Sequence, residues 1–236
     1  MISKPQPKRD CIKTETVGKG IRQKLLKEAA RDLRWIDARG YPRRSAIRFI
    51  GDHYQLSARE RDILLRSAFP AATVKERRRR VVQACDLSKE RVIIDGYNVT
   101  ITIESALSGR LIILADDGFV RDVSRIFRSF MATEQTRVAW SHILRFLKER
   151  EPGMIEVVLD RPMSKSAELA ARITRWMKEC RIPGLCTLSS TGEKELAGQK
   201  GIKASADTVI IDHSDRVFDL AGHIIRRRLR IRPFRY

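Results

Sequence analysis

The spacing of apolar positions changes once along the chain. Ile21, Leu25, Leu26, Ala29, Ala30, Leu33 and Ile36 fall on one face at a 3.6-residue period, and Gly40 and Pro42 stop the pattern. This predicts an amphipathic helix. A second helix is predicted over Arg44 to Tyr54, with Ile47 and Ile50 inward. Ser57 and Glu60 read as a capping box opening a third helix, which ends before Pro70. Thr73 and Glu76 read as a second box, opening a fourth helix that runs to about Cys85. The turn near Gln55 and Leu56 would also suit a helix-turn-helix. Trp35, Trp140 and Trp176 lie on helical patterns and are expected in the core.

After residue 88 short apolar runs replace the helical period. Val92 to Ile94, Leu111 to Leu114, Ile155 to Leu159, Leu185 to Leu188 and Thr208 to Ile211 read as buried strands. Helical patterns such as Val138 to Leu147 and Glu168 to Cys180 lie between them. Strands alternating with helices predict an α/β class with a mostly parallel sheet. The expected organisation is a flexible arm over 1–18, a small all-helical basic domain over 19–88 and an α/β domain over 89–236.

Composition narrows the partner. The chain has 236 residues and a formal net charge of +19. Residues 1–90 hold 23 Lys and Arg against 11 Asp and Glu, so the helical half is the more basic. Hydrophobic residues make up 42%, which excludes a wholly disordered chain. No apolar run approaches about 18 residues, so no membrane span is expected. The charged start has no secretory core, and the expected compartment is the cytoplasm. Cys11, Cys85, Cys180 and Cys186 form no CxxC pair, and the histidines are scattered, so neither a zinc cluster nor a disulfide framework is predicted. The charge favours a polyanion, with nucleic acid foremost, and leaves a homodimer open.

Candidate chemistry lies in the aspartates. Asp95, Asp160 and Asp207 each close a predicted strand, and parallel strands bring such ends to one edge. Asp116, Asp117 and Asp122 form an acidic segment between the first two. Carboxylates gathered at an edge repel one another unless a cation neutralises them, and hard oxygen ligands suit Mg²⁺ or Mn²⁺. Asp95, Asp117, Asp122, Asp160 and Asp207 are the expected metal ligands. Such an acidic edge in a basic protein suits metal-assisted phosphodiester hydrolysis. Helix N-caps or turns would also account for strand-end aspartates. Asp212, Asp215 and Asp219 are better explained by solvated loops or caps.

Cationic segments would hold the backbone of a nucleic acid. Arg77, Arg78, Arg79 and Arg80 point all around a helix, so some must face a second domain or an acidic ligand. Arg43 and Arg44, and the six arginines of residues 226–236, read similarly. Ser164, Lys165 and Ser166, between a strand and a helix, suit either a phosphate or a simple helix cap.

The stretch Val92-Ile93-Ile94-Asp95-Gly96-Tyr97-Asn98-Val99 resembles the opening of PIN-like nucleases, especially the NYN branch. Ile202-Lys203-Ala204-Ser205-Ala206-Asp207 is similar to their late strand, with Ala206 where a hydroxyl is usual. Residues 20–225 together resemble an uncharacterised, mainly archaeal family with a helical domain before a PIN-like one. The resemblance implies a three-layer α/β/α domain, Asp95 and Asp207 as metal ligands and Asn98 as a residue orienting the site. Asp117 or Asp122 would stand for a mid-helix acid that is usually Glu, Glu193 for an acid after the third strand, and Asp160 is additional. The expected function is a metal-dependent ribonuclease, with Asp95, Asp160, Asp207 and Asn98 catalytic and RNA favoured over DNA. The alternative is a catalytically inactive RNA- or DNA-binding protein.

Overall fold

The computed structural model describes residues 20–124, 130–161, 163, 165–190 and 193–236. The predicted arm, 1–18, lies outside them. Four helices come first: α1 (Gln23–Asp37), α2 (Arg43–His53), α3 (Ala58–Ser67) and α4 (Ala71–Arg80). After a 3-10 turn, Ala84–Leu87, come β1 (Arg91–Asp95), α5 (Gly96–Leu107), β2 (Ile112–Leu114), β3 (Val120–Asp122), α6 (Glu134–Arg150), β4 (Met154–Asp160) and α7 (Ser166–Glu179). The rest is β5 (Gly184–Ser189), α8 (Glu193–Gly198), β6 (Ile202–Ala204), α9 (Thr208–His213), β7 (Val217–Phe218), α10 (Leu220–His223) and a π turn, Ile224–Arg228. Among the described residues no helix is long and apolar enough to cross a membrane.

The main sheet has the order β5-β4-β1-β6-β7, and every neighbouring pair is parallel. Strand periodicity sorts its side chains into two covered faces. Val92, Ile94, Val157 and Leu159 pack with Trp140 and Ile143 of α6 and with Leu169 and Ile173 of α7. Ile93 and Val158 face the other way, onto Leu196 of α8 and Ile210 of α9. Burial on both faces explains why these strands read as unbroken apolar runs.

Two sequence-based expectations fail here for identifiable reasons. Leu111 to Leu114 does not join the parallel sheet. β2 pairs antiparallel with β3 in a separate hairpin, and Gly118 turns the chain at φ +94, a conformation that glycine adopts freely. Thr208 to Ile211 is helical, because Asp207 caps it: its Oδ1 accepts from the N–H groups of Val209 and Ile210 at 2.8 and 3.2 Å.

The helical segment buries its stripe on that hairpin. Leu26, Ala29, Ala30 and Leu33 of α1 share one cluster with Ile50, Ile63 and Leu64, and also with Leu111, Ile113 and Val123. The expected boundary at residue 88 is therefore a boundary in chain order, while the core crosses it. The Ser57–Glu60 capping box is formed. A Thr73–Glu76 box is not: α4 starts at Ala71 and ends at Arg80 rather than near Cys85. The expectation for Trp35 also fails, since Trp35 is exposed under the Arg39 guanidinium, whereas Trp140 is fully buried and Trp176 half-buried.

Candidate functional site

Chain order reverses at β1, with β4 and β5 on one side and β6 and β7 on the other. In open parallel sheets ligands bind outside the carboxyl ends of the strands at such a point. Asp95 ends β1, Asp160 ends β4, and Ser205, Ala206 and Asp207 follow β6. Asp95 caps α5, its Oδ1 accepting from Asn98 N–H at 3.3 Å. Its Oδ2 accepts from Ser205 Oγ at 2.8 Å. Asn98 Oδ1 accepts from Ala206 N–H at 3.0 Å, and Ser205 Oγ accepts from Asp207 N–H at 3.0 Å. These bonds lock the turn after β1 to the turn after β6. Asp207 Oδ2 and both carboxylate oxygens of Asp160 have no hydrogen-bond partner among the described residues.

The edge is electrostatically crowded. Burial pushes the Asp95 carboxyl up to about 7. The Ser205 and Asn98 hydrogen bonds oppose that rise, and the charges of Asp207 and Asp160 add to it. The Asp160 carboxyl is raised too, by burial and then by Glu193 at the start of α8. Burial, with Asp160 and Cys186 nearby, takes the Tyr97 hydroxyl up to about 12. Among the described residues no three His, Cys, Asp or Glu side chains stand close enough to enclose a metal ion. The free oxygens of Asp160 and Asp207 still fit Mg²⁺ or Mn²⁺ by donor chemistry, because Mg²⁺ keeps several waters and is held through one or two carboxylates.

Asn98, Ala206 and Asp207 also line a cleft of about 640 Å³ between the sheet edge and the helical segment. Its other wall carries Arg43, Arg44, Arg66, Arg77 and Arg121 beside Phe69. The guanidinium carbons of Arg43, Arg77 and Arg121 lie 4.6, 4.2 and 5.2 Å from the Phe69 ring centroid. An acidic edge thus meets a cationic wall.

The structure separates the predicted residues into two groups. Asp95, Asn98, Asp160 and Asp207 lie along the edge. Asp117 does not join them. Its carboxylate is buried between Arg77 Nη1 at 2.8 Å and Arg121 Nη1 and Nη2 at 2.8 and 2.7 Å, so cations of the protein itself already neutralise it. Asp122 lines the cleft from β3, but both its oxygens accept from Ser124. Neither stands in a helix: Asp117 lies in the turn before β3 and Asp122 ends that strand.

The cationic predictions divide likewise. Arg77 is buried against Asp117 and Asp212. Arg43 pairs with Asp37 and donates to the carbonyls of Leu65 and Ala68 at 2.8 and 2.7 Å. Arg80 donates to the carbonyls of Ile211 and Asp212. These three brace the fold, and their guanidinium groups are committed within the protein rather than to a nucleic acid. Arg44, Arg78 and Arg79 are exposed; Arg78 donates to the Asp116 carbonyl and Arg79 pairs with Glu76. Ser166 is buried and spends its hydroxyl on the Arg161 carbonyl at 3.1 Å, which leaves it no proton for a phosphate. Lys165 is exposed at the start of α7, with φ +58. Ser164 lies outside the described residues. At the turn suggested for a helix-turn-helix, α3 carries Ile63 and Leu64 into the shared core and packs on β2.

Sequence reasoning missed Ser205 and Arg121. Ser205 was legible as the one hydroxyl in Ala204-Ser205-Ala206 directly after a strand. Arg121 had no local signal, since its partners Asp117 and the Ala206 carbonyl meet it only in the fold.

The family described as Protein of unknown function (DUF434) matches residues 25–80. An uncharacterized protein of Methanocaldococcus jannaschii is 30% identical over 202 residues, covering 85% of this chain and 96% of that protein. No solved structure matches. The family described as Domain of unknown function (DUF5616) matches residues 84–223, which carry the whole parallel sheet and its carboxylate edge, and the chain belongs to that family.

Proposed function

We propose that the chain is a metal-dependent ribonuclease, cutting RNA internally in the manner of the PIN-like, NYN-type nucleases that residues 92–99 and 202–207 resemble. The observation that carries this reading is that Asp95, Asp160 and Asp207 all stand along the carboxyl edge at the switch point of a parallel sheet, where the charges of Asp207 and Asp160 add to the burial that pushes the Asp95 carboxyl up to about 7. Such repulsion is relieved by a cation. When bound, Mg²⁺ or Mn²⁺ supplies a water of lowered pKa and a counter-charge for pentavalent phosphorus. Asp160 and Asp207 offer the free oxygens. Asp95 keeps Ser205 and Asn98 in place, and Asn98 holds the Ala206 amide. Arg44, exposed on the wall of the cleft leading to the edge, would receive phosphates.

A second reading, a non-catalytic nucleic-acid-binding protein, is favoured by one fact: Asp95 and Asp207 both cap helices, which alone accounts for their positions. Asp160 separates the two readings, because its side chain has no hydrogen bond to lose among the described residues. End-labelled RNA is incubated with Mn²⁺ and wild type, Asp160→Asn or Asp207→Asn. The proposal expects cutting by wild type and a loss of about 100-fold or more in both variants, with binding kept. RNA bound but uncut by wild type, or cut equally by all three, would overturn it.

A further inference from the structure

The arginine-rich stretch after the π turn is an anchored ribbon. Leu229 and Ile231 pack on the core of the α/β part, and Phe234 and Tyr236 on the core shared with the helical segment. Phe234 exchanges backbone bonds with the hairpin, its N–H to Ile112 O and its O from Leu114 N–H, both at 2.9 Å. Tyr236 Oη lies 2.9 Å from Ser67 Oγ. With these residues turned inward, Arg230, Arg232 and Arg235 are exposed.

With Arg226 and Arg227 they line a groove of about 830 Å³ whose floor includes Val81 to Ala84. Its acidic lining residue is Asp219, already committed: Asp219 is buried and accepts from Gly222 N–H at 2.8 Å and Val120 N–H at 3.0 Å. The side chains of Arg227, Arg230, Arg232 and Arg235 make no hydrogen bond or ion pair among the described residues, whereas Arg226 lies 3.8 Å from Asp219. Arg228, just outside the groove, pairs with Glu149. Like charges pinned together by buried neighbours repel one another, and an anion filling the groove relieves that repulsion. Guanidinium groups suit phosphate oxygens in particular. Phe218, which lines the groove, is 5% exposed and so offers no face for base stacking.

We infer that this groove binds the phosphodiester backbone of a nucleic acid strand, without reading its sequence, as a holding site separate from the carboxylate edge. The inference rests on the nucleic-acid part of the proposed function and not on cleavage.

The test uses labelled single strands of RNA in two sequences, the matching DNA, and polyglutamate, measured by anisotropy in EDTA across a NaCl series. The variants are Arg230→Gln/Arg232→Gln/Arg235→Gln and a control of equal charge loss, Lys24→Gln/Lys27→Gln/Lys178→Gln. Each neutralised phosphate contributes about 0.7 to the slope of log K against log salt for single strands. The groove variant should lose about 2 in that slope and about tenfold or more in affinity, equally for both RNA sequences and for DNA, with little change in the control. Should the triple variant not fold, Arg232→Gln alone should lose about 0.7 in slope. Equal losses in groove and control variants would overturn the inference, as would a preference for one sequence, binding of RNA but not DNA, or polyglutamate binding as tightly as RNA. RNA cut normally but held no less tightly by the groove variant removes only the holding site. RNA held through the groove but never cut removes only the nuclease.

Discussion

Ser205 donates its hydroxyl proton to Asp95 Oδ2 at 2.8 Å, joining residues 110 positions apart in sequence. Ser205 Oγ in turn accepts the Asp207 N–H, so one buried hydroxyl ties the Asp95 carboxylate to the backbone of Asp207. Ser205→Ala removes a bond that stabilises ionised Asp95, which should raise that carboxyl above 7. RNA cleavage should fall about 10- to 100-fold near neutral pH, as for residues that position a metal ligand. Its pH profile should shift upward. Ser205→Thr, which keeps the hydroxyl, should restore most of the rate. An unshifted profile in Ser205→Ala would make the residue a packing element only.

Asp117 sits between two buried arginines. Removing it leaves Arg77 and Arg121 without their shared counter-charge in a desolvated place. Breaking a buried ion pair from one side costs about 3–5 kcal/mol. Urea unfolding of Asp117→Ala should show a loss of that order, whereas Asp160→Ala should be nearly neutral. If Asp117 were instead a metal ligand, its loss would abolish Mn²⁺-dependent stabilisation while sparing the metal-free protein.

The contrast between these residues shows what the sequence carried. A short apolar run ending in Asp announced β1 and β4, the segment Ile202 to Ala206 before Asp207 held β6, and parallel pairing then set Asp95, Asp160 and Asp207 along one edge. Nothing local distinguished Asp117 from them, because its fate depends on Arg77, 40 positions earlier. The tetra-arginine run could be read as facing several ways, but not as Arg77 and Arg80 turning in on α9. Leu111 to Leu114 misled because three buried apolar residues fit a parallel strand or a hairpin equally well. The Asp116-Asp117-Gly118 turn decided for the hairpin.

Gly96 tests how closely the site depends on packing. A Cβ there would lie 2.6 Å from Leu159 Cδ2 and 3.0 Å from the Val158 carbonyl oxygen. Gly96→Ala must push the start of α5 away from β4, at a cost of about 1–3 kcal/mol. It should also displace Asp95 and Asn98, which flank it, and lower RNA cleavage more than the stability loss explains. Gly198→Ala is the control, since nothing stands within 4 Å of its Cβ. The urea midpoints of the two variants give the comparison.

Glu60 sets the acid limit of the helical segment. Its carboxylate accepts from Arg22 Nε at 3.0 Å and Nη2 at 2.7 Å, and from Ser57 N–H and Oγ, both at 2.9 Å. The Arg22 bonds, with the Ser57 bonds behind them, hold its carboxyl down to about 2 against the opposing effect of burial. A depressed carboxyl stabilises the fold fully above its ordinary value of 4.5, and the contribution fades as pH falls through 2. Urea unfolding of wild type and Glu60→Gln should therefore differ most at pH 7 and progressively less toward pH 2. A gap of constant size across that range would mean that Glu60 acts through its shape and cap geometry, with its charge irrelevant to how α1 is fastened to α3.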